Sequence, residues 1–239
     1  MTAAIDVRDL GVRFHFDRNR RVVTPMLAHL RRRGSETWGL RELTLNIGPG
    51  DGVALVGASG SGKTTLLRAL AGIYVPDAGD ITIHGRVATL LSIEAGLLGV
   101  LTGRENSVLL GVLAGLTRRQ ARAQLEAIRD ASHLETYFDR PVSSYSQGMR
   151  ARLGLAVAEG TVPQILLLDE VHEALDHAFR RVLQQHARAI LDSGGIVVAA
   201  GHDHPMLAQL CNRAAWLEDG RLRAYGDFAD VQRRYLAAA

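Results

Sequence analysis

Residues 57–64 read Gly57-Ala58-Ser59-Gly60-Ser61-Gly62-Lys63-Thr64. The apolar run Val53 to Val56 precedes them and is short enough for a buried strand, while Thr65 to Leu70 has a helical pattern. The stretch is a complete G-x-x-x-x-G-K-[ST] pattern in the strand, loop and helix context that it requires. Its glycines let backbone N–H groups turn towards phosphate oxygens, and a helix N-terminus adds partial positive charge. The stretch therefore predicts a nucleotide-phosphate site.

Each polar group of this loop has an expected task. Lys63 is expected to reach the outer phosphates, and the Thr64 hydroxyl to bind Mg²⁺. We expect nucleotide contacts from every member of the loop and from the next residue: Gly57, Ala58, Ser59, Gly60, Ser61, Gly62, Lys63, Thr64 and Thr65. The loop by itself does not identify the protein, because kinases, GTPases and helicases share it.

A second group of polar residues follows two later apolar runs. Ile165 to Leu168 ends in Asp169 and Glu170, and Ile196 to Ala200 is followed by His202. Open α/β sheets bind ligands at the carboxyl edge of their strands, so these side chains are expected near the phosphate loop. We expect Asp169 to hold Mg²⁺ through its water shell, Glu170 to orient and deprotonate the attacking water, and His202 to hydrogen-bond the γ-phosphate.

The order of apolar runs predicts the fold class. Strands are expected at 5–16, 43–47, 53–56, 80–84, 87–91, 165–168 and 196–200. One helix is expected to begin near Lys63, another to cover 177–191, and a helical stretch to run from Thr102 to about Gly160. Thr102 and Glu105 have capping-box spacing at the start of that stretch. Alternating strands and helices predict an α/β fold with a mostly parallel sheet.

Tyr145 to Met149 lie between the two halves of the predicted site, and here the chain resembles the ABC ATPases. That family has an L-S-G-G-Q signature before the strand that ends in Asp169, and Ser146 and Gly148 match it while Tyr145, Gln147 and Met149 depart from it. Ser146 is expected to cap a helix whose first N–H groups bind the γ-phosphate held by a second copy. The resemblance implies a homodimer closing around two ATP molecules with Mg²⁺, with Ser146, Gln147 and Gly148 contacting nucleotide.

The resemblance also implies a P-loop NTPase, RecA-like core with an antiparallel β subdomain and an inserted helical subdomain. We expect one nucleotide-binding domain over 1–239, with 1–91 and 161–239 forming the core and 92–160 forming the insert.

Further family positions are assigned with alternatives open. The usual metal-sensing glutamine falls at Glu94 or Ser92, with Glu94 preferred as a metal ligand, and the adenine-stacking aromatic is Phe14 or Trp38, with Phe14 the better match. Ala174 to Asp176 resembles the loop that crosses the dimer interface.

A narrower resemblance is to the ATPases of polysaccharide, O-antigen and teichoic acid exporters. It rests on Thr102 to Asn106, on the insertion ending at Trp38 to Leu40, and on the form of the signature. It implies a pair of integral membrane permease subunits that handle a lipid-linked glycan. Grooves of this chain near Glu94 to Arg104 are expected to receive the coupling helices of those subunits. Because the sequence ends at Ala239, we expect no C-terminal carbohydrate-binding domain and substrate selection mainly by the permease.

Composition limits the remaining alternatives. The net charge is only +3 and the chain has one cysteine, Cys211, so a disulfide framework is excluded and we expect the cytoplasmic face of the inner membrane as a peripheral location. The arginine-rich segment 17–37 has no assigned role, and without an aromatic-studded basic motif we expect no nucleic acid partner. A drug or lipid exporter ATPase stays open, as does, with less support, a soluble ABC ATPase outside transport.

Overall fold

The computed structural model describes residues 2–16, 35–90, 96–169, 177–201 and 204–238. Two sheets and eight helices account for most of these described residues. The strands are β1 Ala4–Phe16, β2 Ser35–Ile47, β3 Gly52–Val56, β4 Ala78–His84, β5 Val87–Leu90, β6 Ile165–Asp169, β7 Ile196–Ala200, β8 Arg213–Glu218 and β9 Arg221–Asp227. The helices are α1 Lys63–Leu70, α2 Gly103–Leu113, α3 Arg118–Ala123, α4 Leu125–Ser132, α5 Gln147–Gly160, α6 His177–Asp192, α7 His204–Leu210 and α8 Phe228–Ala238.

The larger sheet has the order β5-β6-β7-β3-β8-β9, and all neighbouring pairs are parallel except β8 with β9. Its central strands are buried on both faces, as the uninterrupted apolar runs predict. Alternate residues point to opposite sides, so Leu166 and Leu168 pack on the helices of one face, whereas Ile165 and Leu167 pack towards the second sheet. The predicted parallel α/β core is confirmed.

The smaller sheet is antiparallel with the order β2-β1-β4. Its inner face, which includes Ile5, Val7, Leu43 and Leu45, packs with α1 and the central strands in one buried cluster. The expected strand over 43–47 was too short, because β2 begins at Ser35 and pairs with nearly the full length of β1. The sequence did not predict residues 35–42 as a strand because their pattern is mostly polar. They form a strand because they pair with β1.

The chain between β5 and β6 is helical but interrupted. The helical stretch expected from Thr102 to about Gly160 consists of α2 to α5 with two short 3₁₀ turns, Glu135–Asp139 and Val142–Ser144. These elements pack around their own buried cluster, which includes Phe138, Tyr145 and Leu153. This cluster is distinct from the two clusters that cover the faces of the larger sheet. It is linked to the larger sheet where α5 packs on β5 and α6.

Helix starts follow the capping signals in the sequence. The Thr102 side chain accepts from the Glu105 N–H and the Glu105 carboxylate accepts from the Thr102 N–H, which confirms the predicted capping box of α2. Thr117 and Gln120 form the same pair at α3. Of the helices in the described part of the chain, none combines the length and apolarity needed to cross a bilayer.

Candidate nucleotide site

The phosphate loop lies between the buried end of β3 and the first turn of α1. Gly57, Gly60 and Gly62 have φ of 146°, 80° and 109°, a region that other residue types enter only with strain. The loop can therefore fold back over itself and bring α1 in directly behind it. Gly62 is the left-handed N-cap of α1 and has no side chain to cap the helix. The first N–H groups of α1 are thus available to an anion.

Lys63 lies inside this loop. Its side chain is buried, with 8% of the residue exposed. The Lys63 Nζ donates hydrogen bonds to the Gly57 carbonyl at 2.7 Å and to the Ala58 carbonyl at 2.9 Å. These two carbonyl oxygens hold the ammonium inside the loop. The phosphate contact predicted for Lys63 stays a prediction.

The register of the sheet aligns the loop with Asp169. Leu55 of β3 and Asp169 of β6 both pair with Ala200 of the strand between them, so all three residues are level at the carboxyl edge. Asp169 is 7% exposed at the end of its strand. Thr64 is the second residue of α1, the helix that follows the loop after β3. The carboxylate and hydroxyl oxygens supplied by these residues are hard donors of the kind that Mg²⁺ prefers.

Several predicted site residues lie outside the described part of the chain. These are Glu170, which directly follows Asp169, His202, which follows β7 by two residues, Glu94 and Ser92 after β5, and the segment 174–176. Their assignments stay predictions. The ends of β6 and β7 that precede Glu170 and His202 are adjacent and in register.

The predicted signature segment forms the start of α5. The Ser146 hydroxyl accepts a hydrogen bond of 3.2 Å from the Met149 N–H, which confirms that Ser146 caps this helix. Ser146 and Gln147 are exposed and Gly148 is half-buried. Helix α5 packs on α2, α4, α6 and β5, whereas α1 packs on β2, β6 and β7. The N-termini of α1 and α5 therefore belong to helices that pack on different neighbours.

Tyr145, at the position where the L-S-G-G-Q signature has leucine, makes buried contacts that the sequence did not predict. Its ring is buried, and its hydroxyl donates a hydrogen bond of 2.6 Å to the Tyr137 carbonyl. The same oxygen occupies the space that a side chain at Gly103 would fill. Burial raises the pKa of Tyr145, so the hydroxyl stays a donor. The residue before the Ser146 cap is thus fixed to the first turn of α2. In the sequence, the tyrosine in place of leucine was the feature that could have indicated this contact.

The two candidate aromatics lie on neighbouring strands but on opposite faces. Arg13 pairs with Trp38, and the Arg13 guanidinium is 5.0 Å from the Trp38 ring centroid, so both side chains share one face. Phe14 points to the other face, where its ring meets Tyr74 edge-on with centroids 5.5 Å apart. The Phe14 ring also covers Gly39, next to Thr65 of α1. Phe14 is thus on the α1 side of β1, and its stacking role stays a prediction.

A cavity of about 400 Å³ lies between the sheet and the helical segment. Its walls come from β5, the end of α1, α2 and α5, and include Ile73, Leu97, Leu110, Leu113 and Arg150. Ile73 and Leu113 also expose much of their apolar side chains to solvent. The cavity lies beside Gly96 and Leu97, where the sequence placed a groove for a partner helix.

Comparison with known proteins gives a consistent family. Residues 40–173 match the family model described as ABC transporter. The chain is 34% identical over 206 residues to the O-antigen export system ATP-binding protein RfbB of Klebsiella pneumoniae, covering 86% of this chain and 84% of that protein. It is 36% identical over 199 residues to the RfbB of Myxococcus xanthus and 34% identical over 200 residues to the teichoic acids export ATP-binding protein TagH of Enterococcus faecalis. The matches cover 83% and 84% of this chain but only 46% and 44% of those two proteins.

Solved structures agree on the fold. The dimeric post-hydrolysis state of the ATP-binding cassette MJ0796 bound to ADP and Pi superposes with a TM-score of 0.75 at 20% identity, covering 93% of this chain and 98% of that one. An ATP-binding subunit of an ABC transporter gives a TM-score of 0.73 at 22% identity, covering 97% and 92%. At these identities the likeness concerns the fold.

Proposed function

Because the chain belongs to the ABC transporter family and carries its ATPase cassette, we propose that it is the ATP-hydrolysing motor of an exporter that moves a lipid-linked polysaccharide. One observation carries this proposal. Over more than four fifths of its length the chain is about one third identical to proteins named for O-antigen and teichoic acid export. The narrower motif Thr102 to Asn106 lies inside that similarity and is a complete, capped helix start.

The side chains at the sheet edge suit ATP with Mg²⁺. Lys63 and the first N–H groups of α1 bind the outer phosphates. Thr64 and Asp169 would hold Mg²⁺, which would offset negative charge on the phosphates. Glu170 accepts a proton from water while the water oxygen bonds to the γ-phosphorus. The β–γ bridging bond breaks, and ADP and phosphate leave.

A second copy completes the site. Ser146 begins a helix that packs on different neighbours from the helix of Lys63, so we propose that its exposed N-terminus binds the γ-phosphate held by the other subunit. Two copies then close head to tail around two ATP molecules. Gln147 and Gly148 contribute to the same contact. ATP binding favours closure, and hydrolysis followed by phosphate loss releases it.

The cavity between β5 and the helical segment is the proposed contact for the permease. Its apolar walls and the exposed side chains of Ile73 and Leu113 suit an apolar helix on the cytoplasmic side of a membrane protein. The helical segment, which we assign to an insert over 92–160, transmits the movement of Ser146 to this contact because α2 and α5 both line the cavity. The chain would then lie on the cytoplasmic face of the inner membrane, and the glycolipid would be handled by the permease pair.

ATP hydrolysis by purified protein tests the motor. We expect wild-type protein to hydrolyse Mg-ATP and Glu170→Gln protein to bind it without hydrolysis, because the water then lacks its base. Steady-state hydrolysis that survives in Glu170→Gln protein would contradict the assignment of Glu170.

Isolation of the tagged chain from detergent-solubilised membranes tests the export role. We expect an integral membrane subunit and a glycolipid to accompany it. Leu113→Glu should abolish this recovery, whereas Leu236→Glu on α8 should not, since the two leucines are 71% and 60% exposed but only Leu113 lines the cavity. If a drug or lipid transporter is recovered instead, the proposed polysaccharide cargo is wrong. Recovery only with ribosomes or nucleoid would refute transport.

A further inference from the structure

The turn between β8 and β9 contacts the phosphate loop from outside the nucleotide site. The Gly220 N–H donates to the Ser61 carbonyl at 3.1 Å, and the Gly220 carbonyl accepts from the Arg41 N–H of β2 at 2.9 Å. Both backbone polar groups of Gly220 are therefore used to join three distant parts of the chain. Ser61 lies two residues before Lys63, so the bond holds the loop where it enters α1.

Close packing accompanies these hydrogen bonds. A side chain at Gly220 would bring its Cβ within 2.8 Å of the Gly39 carbonyl oxygen, and one at Gly62 would bring its Cβ within 2.8 Å of the same oxygen. The φ of Gly220 is 74°, which also favours glycine. At the other end of the loop, a side chain at Gly57 would overlap the Leu217 carbonyl of β8. The loop thus contacts β2 and the β8–β9 turn at its Gly62 end, and β8 at its Gly57 end.

An exposed ion pair also links the turn to the smaller sheet. Arg221 directly follows Gly220, and its guanidinium makes a bidentate contact with the Glu42 carboxylate of β2. In contrast, Arg223 pairs with Glu218 inside the same hairpin. Only the first pair links the turn to the strand that carries Gly39.

We propose that Gly220 is a positioning residue for ATP: it sets the shape of the phosphate loop through Ser61 and Gly39 without touching the nucleotide. A phosphate loop binds by several N–H groups that must point inward together, so its affinity depends on a fixed backbone. The proposal rests on the ATPase function given above. It assigns a role in nucleotide binding to a turn that is remote in sequence from residues 57–64.

The test compares Gly220→Ala with Gly194→Ala. Gly194 has a φ of 77° between α6 and β7, and its Cβ would meet no atom within 4 Å, so the two variants share the backbone strain but not the steric conflict. We expect the Kd for Mg-ATP to rise about tenfold or more in Gly220→Ala and to change less than about twofold in Gly194→Ala. KM should rise in parallel with little change in kcat, because the loop binds ground state and transition state alike.

Each outcome has one meaning. If folded Gly220→Ala protein binds Mg-ATP as Gly194→Ala protein does, the proposal is wrong. If Gly220→Ala protein does not fold, Arg221→Gln is compared with Arg223→Gln. A weaker affinity only in Arg221→Gln supports the proposal, and equal affinities refute it. If wild-type protein itself binds no ATP, the proposed function fails instead.

Discussion

Asn106 should be one of the most sensitive polar positions outside the nucleotide site. Its side chain is fully buried, with 0% exposed, at the start of α2. The amide oxygen accepts from the Leu98 N–H at 2.8 Å. The amide nitrogen lies 3.0, 3.2 and 2.9 Å from the carbonyl oxygens of Leu98, Leu101 and Thr102, which share its two hydrogens. One side chain therefore holds the whole loop that precedes the helix.

The change Asn106→Ala removes these bonds and leaves the Leu98 N–H without its partner, whereas the three carbonyls keep hydrogen bonds from the Leu101, Val142 and Asn106 N–H groups. An unsatisfied donor costs about 1–3 kcal/mol and each lost bond about 0.5–1.5 kcal/mol, and part of this loop is reached by water, so we expect a total loss of about 3 kcal/mol. For a chain of this size that loss lowers Tm by roughly 6–12 °C. Urea unfolding followed by circular dichroism measures the free energy, and Asn46→Ala on the exposed side of β2 is the control, expected within about 0.5 kcal/mol of wild type.

Hydrogen exchange gives a second readout for the same variant. The Val142 N–H donates to the Leu101 carbonyl and the Ser143 N–H donates to the Gly99 carbonyl, both at 2.9 Å. If Asn106 holds the loop, protection of these two amides should fall in Asn106→Ala protein. A stability within about 0.5 kcal/mol of wild type, or unchanged protection at both amides, would refute the reasoning.

Four further outcomes follow from the site and the core. Lys63→Ala should reduce ATP hydrolysis by about a hundredfold or more, measured by phosphate release, and Ser146→Ala should reduce it as well while costing about 1 kcal/mol of stability through the lost cap. Phe14→Ala should raise the Kd for Mg-ATP, whereas Trp38→Ala should leave it unchanged. The reverse pattern would assign adenine stacking to Trp38 instead. Burial raises the pKa of the Cys211 thiol from 9.0 to about 12. Between these two pH values the thiol is ionised in the unfolded chain but keeps its proton in the folded chain. Stability should fall as pH rises from 9 to 12, and urea unfolding of Cys211→Ala protein should show a smaller fall.

The sequence by itself determined the features whose information lies within a few consecutive residues. The glycines and Lys63 of the phosphate loop, the Ser146 cap and the capping box at Thr102 all depend on spacings of three to seven residues. Local backbone geometry makes such spacings meaningful in any fold, so the helix starts predicted at Lys63, Thr102 and Ser146 matched the structure. The apolar runs of β6 and β7 were equally clear because both faces of these strands are buried.

Only the tertiary structure decided which distant segments meet. The N-terminal half of β2 is a strand because β1 lies beside it, and the faces taken by Phe14 and Trp38 follow from that register. The alignment of Leu55, Ala200 and Asp169 depends on the strand order of the larger sheet. The bond from Gly220 to Ser61 joins positions separated by most of the chain. Such contacts arise from burying apolar faces together, and no local spacing encodes them.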